Sequence, residues 1–130
     1  MKRALFPWGL LALGVLLLVR LVLVETDQGR RLLLLLPWSR GEVAFVNSVT
    51  GRPVRLSFYP LWDFRGFHAL TDPETEAYYT GGEYPWNEAL AQERRRDLLY
   101  CSEVGLSLAL GPWRFRAEGG CLRVRLLFPP

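Results

Sequence analysis

The side chains that could carry acid–base catalysis are few. His68 is the single histidine of the chain. Its available partners are Ser48, Ser57 and Asp63. A general base needs a nucleophile within hydrogen-bond reach and an acid that orients it, and no nucleophile motif surrounds these residues. We interpret His68 as a structural residue on a strand, and we predict that the protein is not an enzyme.

Three acidic residues, Asp72, Glu74 and Glu76, lie at alternate positions in one short segment. Hard cations take several carboxylate oxygens from such loops, but the spacing of a calcium loop is absent. We therefore expect a turn without a metal, and a hydrolase that uses these acids remains an alternative. We predict no cofactor, because Gly81-Gly82 lacks the lysine and hydroxyl residue of a phosphate-binding loop.

Aromatic residues are concentrated beside these glycines, at Tyr78, Tyr79, Tyr84 and Trp86. Aromatic rings on an irregular loop form ligand platforms or protein-binding patches. The alternative is a loop that folds back and places its rings in the core. We predict Tyr84 and Trp86 as binding contacts.

The N-terminal run Ala4–Val24 decides where such a domain would act. Between Phe6 and Val24 the only charge is Arg20. A helix over the run would be about 28 Å long, close to the roughly 30 Å of bilayer hydrocarbon. We predict a transmembrane anchor over residues 1–25, with Arg20 reaching the interface at its outer edge. A cleaved signal peptide is disfavoured because no small-residue cleavage site follows, and a buried core helix because every face is apolar.

The charges that flank the predicted anchor favour opposite membrane orientations. Lys2 and Arg3 favour a cytoplasmic N-terminus, whereas Arg30, Arg31 and Arg40 lie beyond the other end. We predict a single-pass protein of the cytoplasmic membrane whose C-terminal domain faces the periplasm or the cell exterior. Its partners would be membrane lipid and a membrane protein.

Nucleic acid is not predicted as a partner, because the net charge of +3 is spread along the chain. The one dense basic run, at residues 94–96, is interpreted as a solvated face that could touch anionic lipid.

Cys101 and Cys121 are the only cysteines. Two cysteines in a small domain behind an export segment indicate a disulfide, with two buried free thiols as the alternative. A bond across about 20 residues would contribute about 3 kcal/mol by the loop-entropy estimate. A metal site is not predicted, because no ligand spacing is present.

Alternating side chains predict strands in the middle of the chain. Residues 42–49 are rich in β-branched and aromatic types, and residues 54–59 alternate between apolar and polar. We predict a hairpin over Glu42–Tyr59, then a strand over Leu61–Leu70 with a bend at Gly66.

The second half contains shorter signals. We predict a turn over residues 71–76, brief pairing over residues 77–80, and a helix over Asn87–Arg96 that Asn87 caps. Short strands follow at residues 98–100 and 106–110.

The C-terminal segment alternates most regularly. Trp113, Phe115 and Ala117 alternate with charged residues, and residues 122–128 repeat the pattern after Gly119-Gly120. We predict an antiparallel hairpin with one buried face and one arginine-covered face.

These elements predict a mainly β fold: a small antiparallel β-sandwich or barrel preceded by one transmembrane helix. We assign residues 26–41 to a connector and residues 42–130 to the β domain. The five leucines at residues 32–36 of the connector fit a buried strand or the outer end of a longer helix.

Residues 45–85 resemble a small uncharacterised bacterial family of membrane-anchored β domains that are often encoded beside tripartite (TRAP-type) solute transporters. The resemblance lies in an apolar strand that ends in a polar residue and Ser48-Val49, in Pro53-Val54 opening the next strand, and in Gly81-Gly82 followed by Pro85. It implies association with solute uptake and no known activity.

Two residues depart from that pattern. The family usually has histidine at the position of Asn47 and an acid at the position of Leu56. We predict Asn47 and Ser48, at the strand end, as further binding contacts.

The function expected from these observations is that of a non-enzymatic, membrane-anchored accessory or binding protein linked to solute transport. The alternative is a small structural subunit that is held in a membrane complex by its helix, with a pilin-like subunit as a minor variant.

Overall fold

The computed structural model describes residues 2–130, with side chains from residue 8 onward. The helices of this part of the chain are α1 (Lys2–Leu18), α2 (Pro73–Thr80) and α3 (Trp86–Leu90). The strands are β1 (Arg20–Thr26), β2 (Gly29–Leu35), β3 (Gly41–Val46), β4 (Pro53–Pro60), β5 (Phe64–Leu70), β6 (Asp97–Ser102), β7 (Leu106–Leu110), β8 (Trp113–Ala117) and β9 (Gly120–Phe128).

The strands of the described residues form two antiparallel sheets packed as a β-sandwich. One sheet has the order β2-β1-β9-β6, and the other has the order β5-β4-β3-β7-β8. Side chains from both inner faces, such as Val22 and Val124, share one core. Phe58 is central to it, with ring centroids 5.3 Å from Phe64 and 5.6 Å from Phe67. The predicted mainly β fold is confirmed.

The N-terminal apolar run is divided between a helix and a strand. The prediction of one helix over Ala4–Val24 is wrong, because α1 ends at Leu18 and β1 begins at Arg20. Val22 and Val24 are buried in the core, and β1 pairs with β2 on one side and with β9 on the other. A buried central strand and a membrane helix have the same hydropathy, so hydropathy alone does not separate them.

None of the helices within residues 2–130 is long and apolar enough to span a membrane, so the predicted transmembrane helix is not found there. Met1 and the side chains of residues 2–7, which include the basic Lys2 and Arg3, lie outside the described part of the chain.

The segment predicted as a connector contains β2, which forms an edge of the four-stranded sheet. Leu33 and Leu35 point into the core, while Leu32 and Leu34 are exposed on the outer face. The strand interpretation of the leucine run is therefore correct, and β1 and β2 are part of the sandwich.

The hairpin over Glu42–Tyr59 is confirmed as β3 and β4. The strand predicted over Leu61–Leu70 begins at Phe64, and Gly66 has the positive φ of 69° that its bend requires. Opposite this bend the register with β4 shifts between Ser57 and Tyr59.

The predicted C-terminal hairpin is wrong, although both of its strands exist. β8 pairs with β7, whereas β9 pairs with β1 and β6 in the other sheet. Gly119, at a φ of 76°, turns the chain from one sheet to the other. Alternation shows which side chains face a core, but both sheets of a sandwich face the same core. It therefore does not identify the neighbouring strand.

The segments around the acidic residues are helical. Residues 73–80 form α2 instead of a turn and a brief strand, and α3 has five residues instead of the ten of Asn87–Arg96. Asp72 before Pro73 is a sequence signal for a helix start, and it predicts α2 better than the turn that we assigned.

The two ends of the sandwich differ in what they hold. The proximal end contains the junction of α1 with β1, the turns β2–β3, β4–β5 and β7–β8, and the end of β9, since Arg20 lies opposite Leu35 and Leu21 opposite Phe128. The distal end contains the turns β1–β2, β3–β4, β6–β7 and β8–β9, and the chain enters α2 from there.

Candidate functional site

Asn47 closes the β3–β4 turn at the distal end. Its Oδ1 accepts hydrogen bonds from the backbone N–H groups of Val49 and Thr50, both at 2.9 Å. Short polar side chains favour this kind of turn. The Nδ2 group donates to the hydroxyl of Tyr79 at 2.9 Å, and only 5% of Asn47 is exposed. Asn47 is therefore buried and connects the β3–β4 turn to α2, whereas its neighbour Ser48 is exposed.

Helix α2 is tied to this turn by a hydroxyl pair. The carboxylate of Asp72 accepts hydrogen bonds from the hydroxyl of Thr75 at 2.6 Å and from its N–H at 3.4 Å. The Thr75 hydroxyl lies 2.8 Å from that of Thr50. The hydrogen bond from Thr75 lowers the pKa of Asp72 despite opposing desolvation, so the cap is an ionised carboxylate.

Trp86 is held against α2. Its ring stacks on that of Tyr79, with centroids 4.7 Å apart and planes 17° apart, and its N–H donates to Glu76 Oε1 at 2.8 Å. The next residue, Asn87, accepts from the N–H of Ala69 at 2.7 Å and donates to its carbonyl at 3.1 Å. Asn87 therefore extends the pairing of β5 and does not cap a helix, contrary to our prediction.

Three tyrosines cover this framework. Tyr78, Tyr79 and Tyr84 are 54%, 37% and 48% exposed, and the rings of Tyr78 and Tyr79 meet edge to face at 5.2 Å. We call these three residues, with the half-buried Trp86 beside them, the distal aromatic surface. Aromatic rings held by neighbours lose little entropy on binding, which suits a contact surface.

The predicted contacts therefore have two different positions. Asn47 and Trp86 are joined through Tyr79 and support the surface. Ser48 and Tyr84 are exposed to solvent at the same end. A role of these residues in binding remains a prediction.

Ser57 and His68 lie opposite each other on β4 and β5 and line one pocket together with Glu42, but no hydrogen bond joins the two side chains. Ser57 Oγ donates to the backbone carbonyl of His68 at 3.4 Å and not to its ring. Asp63 accepts from Arg65 at 2.6 Å near the proximal end. Within residues 8–130 no group of three or more histidine, cysteine or acidic side chains could hold a metal ion.

The predicted disulfide is present between Cys101 and Cys121. The two residues lie directly opposite each other on β6 and β9, on the exposed face. The loop between them contains β7 and β8, which belong to the other sheet. The bond therefore links the strands that precede and follow β7 and β8.

Arg20 joins α1 to the sandwich. It is 3% exposed, and its guanidinium donates to the carbonyls of Leu17 and Val19 at the end of α1. It also donates to the carbonyls of Pro60 at 3.1 Å and Leu61 at 2.6 Å in the β4–β5 turn. The last carbonyls of a helix lack partners within it. Arg20 satisfies that of Leu17, and its bonds to Pro60 and Leu61 connect the end of α1 to the sandwich.

Charged pairs cover the distal half of the outer face of the four-stranded sheet. Arg123 binds Asp97, and Arg125 binds Glu25. These hydrogen bonds lower the pKa of each carboxyl below its ordinary value. Both pairs are partly exposed, so they define a polar surface and contribute little to stability.

The sequence pointed to Tyr79 and Arg20 but not to how they organise these ends. Tyr79 binds Asn47 across 32 residues and also stacks on Trp86, and no local pattern marks this contact. Arg20 was interpreted as an anchor residue at an interface, and its position as the only charge in the run was a usable signal for a change of element.

No protein-family model, curated protein or solved structure matches this chain. A fold of this class hosts many unrelated functions, so the function is argued from the site.

Proposed function

We propose that the protein is a non-enzymatic binding protein that is anchored in a membrane by α1 and presents the distal end of its sandwich to a partner. The observation that carries this proposal is the surface of α1. Every residue from Trp8 to Leu18 is exposed apart from the half-buried Gly14, and all of them are apolar. A helix that is apolar on all faces is stable inside a bilayer or a large protein core.

The energy available to such an anchor is large. Eight large apolar side chains between Trp8 and Leu18 are 46–69% exposed. Burial of the exposed part of each contributes about 1 kcal/mol, so α1 would gain about 8 kcal/mol from transfer to lipid. That gain corresponds to roughly micromolar partitioning.

α1 is shorter than the hydrocarbon core of an unperturbed bilayer. Its 17 residues begin with the charged Lys2 and Arg3, so the apolar part, residues 4–18, measures about 22 Å against about 30 Å of hydrocarbon, and the proposed anchor requires the bilayer to thin around it. Local thinning of the bilayer accommodates a mismatch of this size at modest cost.

The disulfide supports an outside location for the sandwich. Disulfides persist in oxidising compartments, and the Cys101–Cys121 bond lies on an exposed face. We therefore place residues 20–130 in the periplasm or outside the cell, with the N-terminus inside. This orientation leaves the distal end pointing away from the membrane.

The support for a binding role is the distal aromatic surface. The support against catalysis is that Ser57 Oγ donates to the backbone carbonyl of His68 and not to its ring, and that Asp63 is paired with Arg65. The resemblance of residues 45–85 to domains encoded beside TRAP-type transporters makes a solute transporter the first partner to test. A structural subunit held by its helix is the second candidate, because an all-round apolar helix also suits packing among other membrane helices.

Membrane extraction tests the anchor. We expect the full chain to stay in the membrane pellet after an alkaline carbonate wash, and the variant Leu11→Arg/Leu16→Arg to be released. Val49→Arg is the matched control, because Val49 is 68% exposed at the distal end. Release of the unaltered chain by carbonate would contradict the proposal.

Crosslinking in intact membranes then separates the two roles. Replacement of α1 by an unrelated membrane helix should leave a crosslinked partner in place if the distal end binds it, and Tyr84→Ala with Tyr78→Ala should remove it. Loss of the partner on helix replacement alone would favour the structural subunit.

A further inference from the structure

The strand turns at the two ends of the sandwich differ in composition. The proximal turns expose Trp38, at 62%, and Trp62, at 55%. Their one acid, Asp63, is paired with Arg65. The distal strand turns contain the acids Asp27, Glu103 and Glu118, of which Glu118 is paired with Arg116, and they expose only the smaller apolar side chains of Val49 and Val104.

Trp62 is held at the level at which α1 ends. The guanidinium of Arg20 that binds the last carbonyls of α1 also binds Leu61, and it lies 5.1 Å from the ring centroid of Trp62. The position of this ring along the axis of α1 is therefore set by the same side chain that closes the helix.

Trp38 is presented at the same end by a closed turn. Leu35 lies opposite Arg20 in the sheet, and the chain turns three residues later. The N–H of Leu36 donates to Ser39 Oγ at 3.1 Å, and the N–H of Ser39 donates to the Leu36 carbonyl at 2.9 Å. The turn is thus ordered, and it leaves the indole of Trp38 in solvent.

Apolar side chains extend this surface onto the proximal part of the four-stranded sheet. Leu34, Leu36 and Leu127 are 65%, 41% and 43% exposed, and Leu127 lies next to Phe128 at the end of β9. Together with Trp38 and Trp62 they form what we call the proximal apolar rim. Large apolar side chains that are exposed at one end of a domain suit an interaction surface.

We propose that the proximal apolar rim rests in the headgroup region of the bilayer, with the indoles of Trp38 and Trp62 at the lipid–water interface. The inference rests on the insertion of α1 proposed above, because the Arg20 contact then brings Trp62 to the bilayer surface. Tryptophan favours this depth, since its ring is apolar and its N–H is polar. The sandwich therefore contacts the membrane directly, in addition to its connection through α1.

The five tryptophans of the chain, at positions 8, 38, 62, 86 and 113, are suitable probes. We would incorporate fluorotryptophan into the full chain in phosphatidylcholine–phosphatidylglycerol nanodiscs and assign each fluorine resonance with single Trp→Phe variants. Nitroxide lipids labelled at the headgroup or in the acyl chain then attenuate the resonances that lie near them. Trp8 reports on α1, and Trp86 is the distal control.

The expected result is loss of the Trp38 and Trp62 signals with the headgroup label, loss of the Trp8 signal with at least one label, and an unchanged Trp86 signal. Attenuation of Trp8 alone would overturn the rim contact while leaving the anchor in place. An unchanged Trp8 signal would overturn the anchor and the rim together. Attenuation of Trp86 equal to that of Trp38 would also overturn the inference, because the sandwich would then lie on its side.

Discussion

Arg20 is the residue whose replacement tests most sharply how α1 is joined to the sandwich. The variant Arg20→Met keeps a long side-chain stem but removes the guanidinium, which donates hydrogen bonds to the backbone carbonyls of Leu17, Val19, Pro60 and Leu61. A buried carbonyl left unpaired costs about 1–3 kcal/mol, and a partly solvated one costs less. One of the four contacts is buried and three are partly buried. We therefore expect a loss of about 3–4 kcal/mol.

Thermal unfolding of the full chain in nanodiscs measures this loss. At about 4 °C per kcal/mol for a domain of about 100 residues, the Tm should fall by about 12–16 °C. Arg40→Met is the control, because its side chain is 59% exposed and its nearest acid, Glu42, is 3.7 Å away. We expect the control to change stability by less than about 0.5 kcal/mol.

The variant Arg20→Lys distinguishes charge from geometry. A lysine keeps the charge but cannot place the guanidinium fork between two chain segments, so most of the loss should remain. An Arg20→Met variant as stable as Arg40→Met would refute the reasoning that this side chain fixes α1 to the domain.

Three further predictions concern the sandwich itself. The double variant Cys101→Ser/Cys121→Ser should lose about 3 kcal/mol in urea unfolding, and an unchanged midpoint would show that β7 and β8 are held without the bond. Burial raises the pKa of Tyr100 from 10.0 to about 12. The neutral Tyr100 hydroxyl therefore contributes on the order of 3 kcal/mol to the free energy of unfolding below pH 10, and this contribution is lost as the pH rises to 12. The isosteric Tyr100→Phe variant should lack this part of the fall in stability at alkaline pH. Asn47→Ala should destabilise the domain by about 2 kcal/mol. Asn47→Asp keeps the oxygen that closes the turn and loses the donor to Tyr79, so its Tm should lie between those of Asn47→Ala and the unaltered protein.

Features that depend on nearby residues were predictable from the sequence. The β3–β4 hairpin follows from alternation around one turn, and the disulfide follows from there being two cysteines. The bend at Gly66 follows from the freedom of glycine at positive φ.

Features that depend on distant pairing were not predictable in this way. Residues 20–24 form a strand because β2 and β9 flank them, and β9 lies about 100 residues later. Those residues alone fit a membrane helix equally well. The separation of β8 from β9 has the same origin, because a two-sheet core accepts alternating strands from either sheet.

The candidate site was predicted in part for the same reason. The aromatic residues were visible as a cluster in sequence. In the structure Trp86 packs against the core and the three tyrosines are exposed, and a role of these residues in binding stays a prediction. The support beneath them is not local: Asn47 reaches Tyr79, and Thr50 reaches Thr75, across 32 and 25 residues. A polar residue at a strand end can therefore be occupied by a helix from elsewhere in the chain.

The central proposal is that α1 inserts into the bilayer with lipid on every side. Single nitroxide labels on cysteines introduced at each position from residue 10 to residue 18, in the full chain in vesicles, test this most directly through their accessibility to oxygen and to a water-soluble nickel complex. We predict high oxygen access and low nickel access at all positions, without a 3.6-residue periodicity. High nickel access throughout, or alternation with the helical period as for a helix lying on the surface, would contradict the claim.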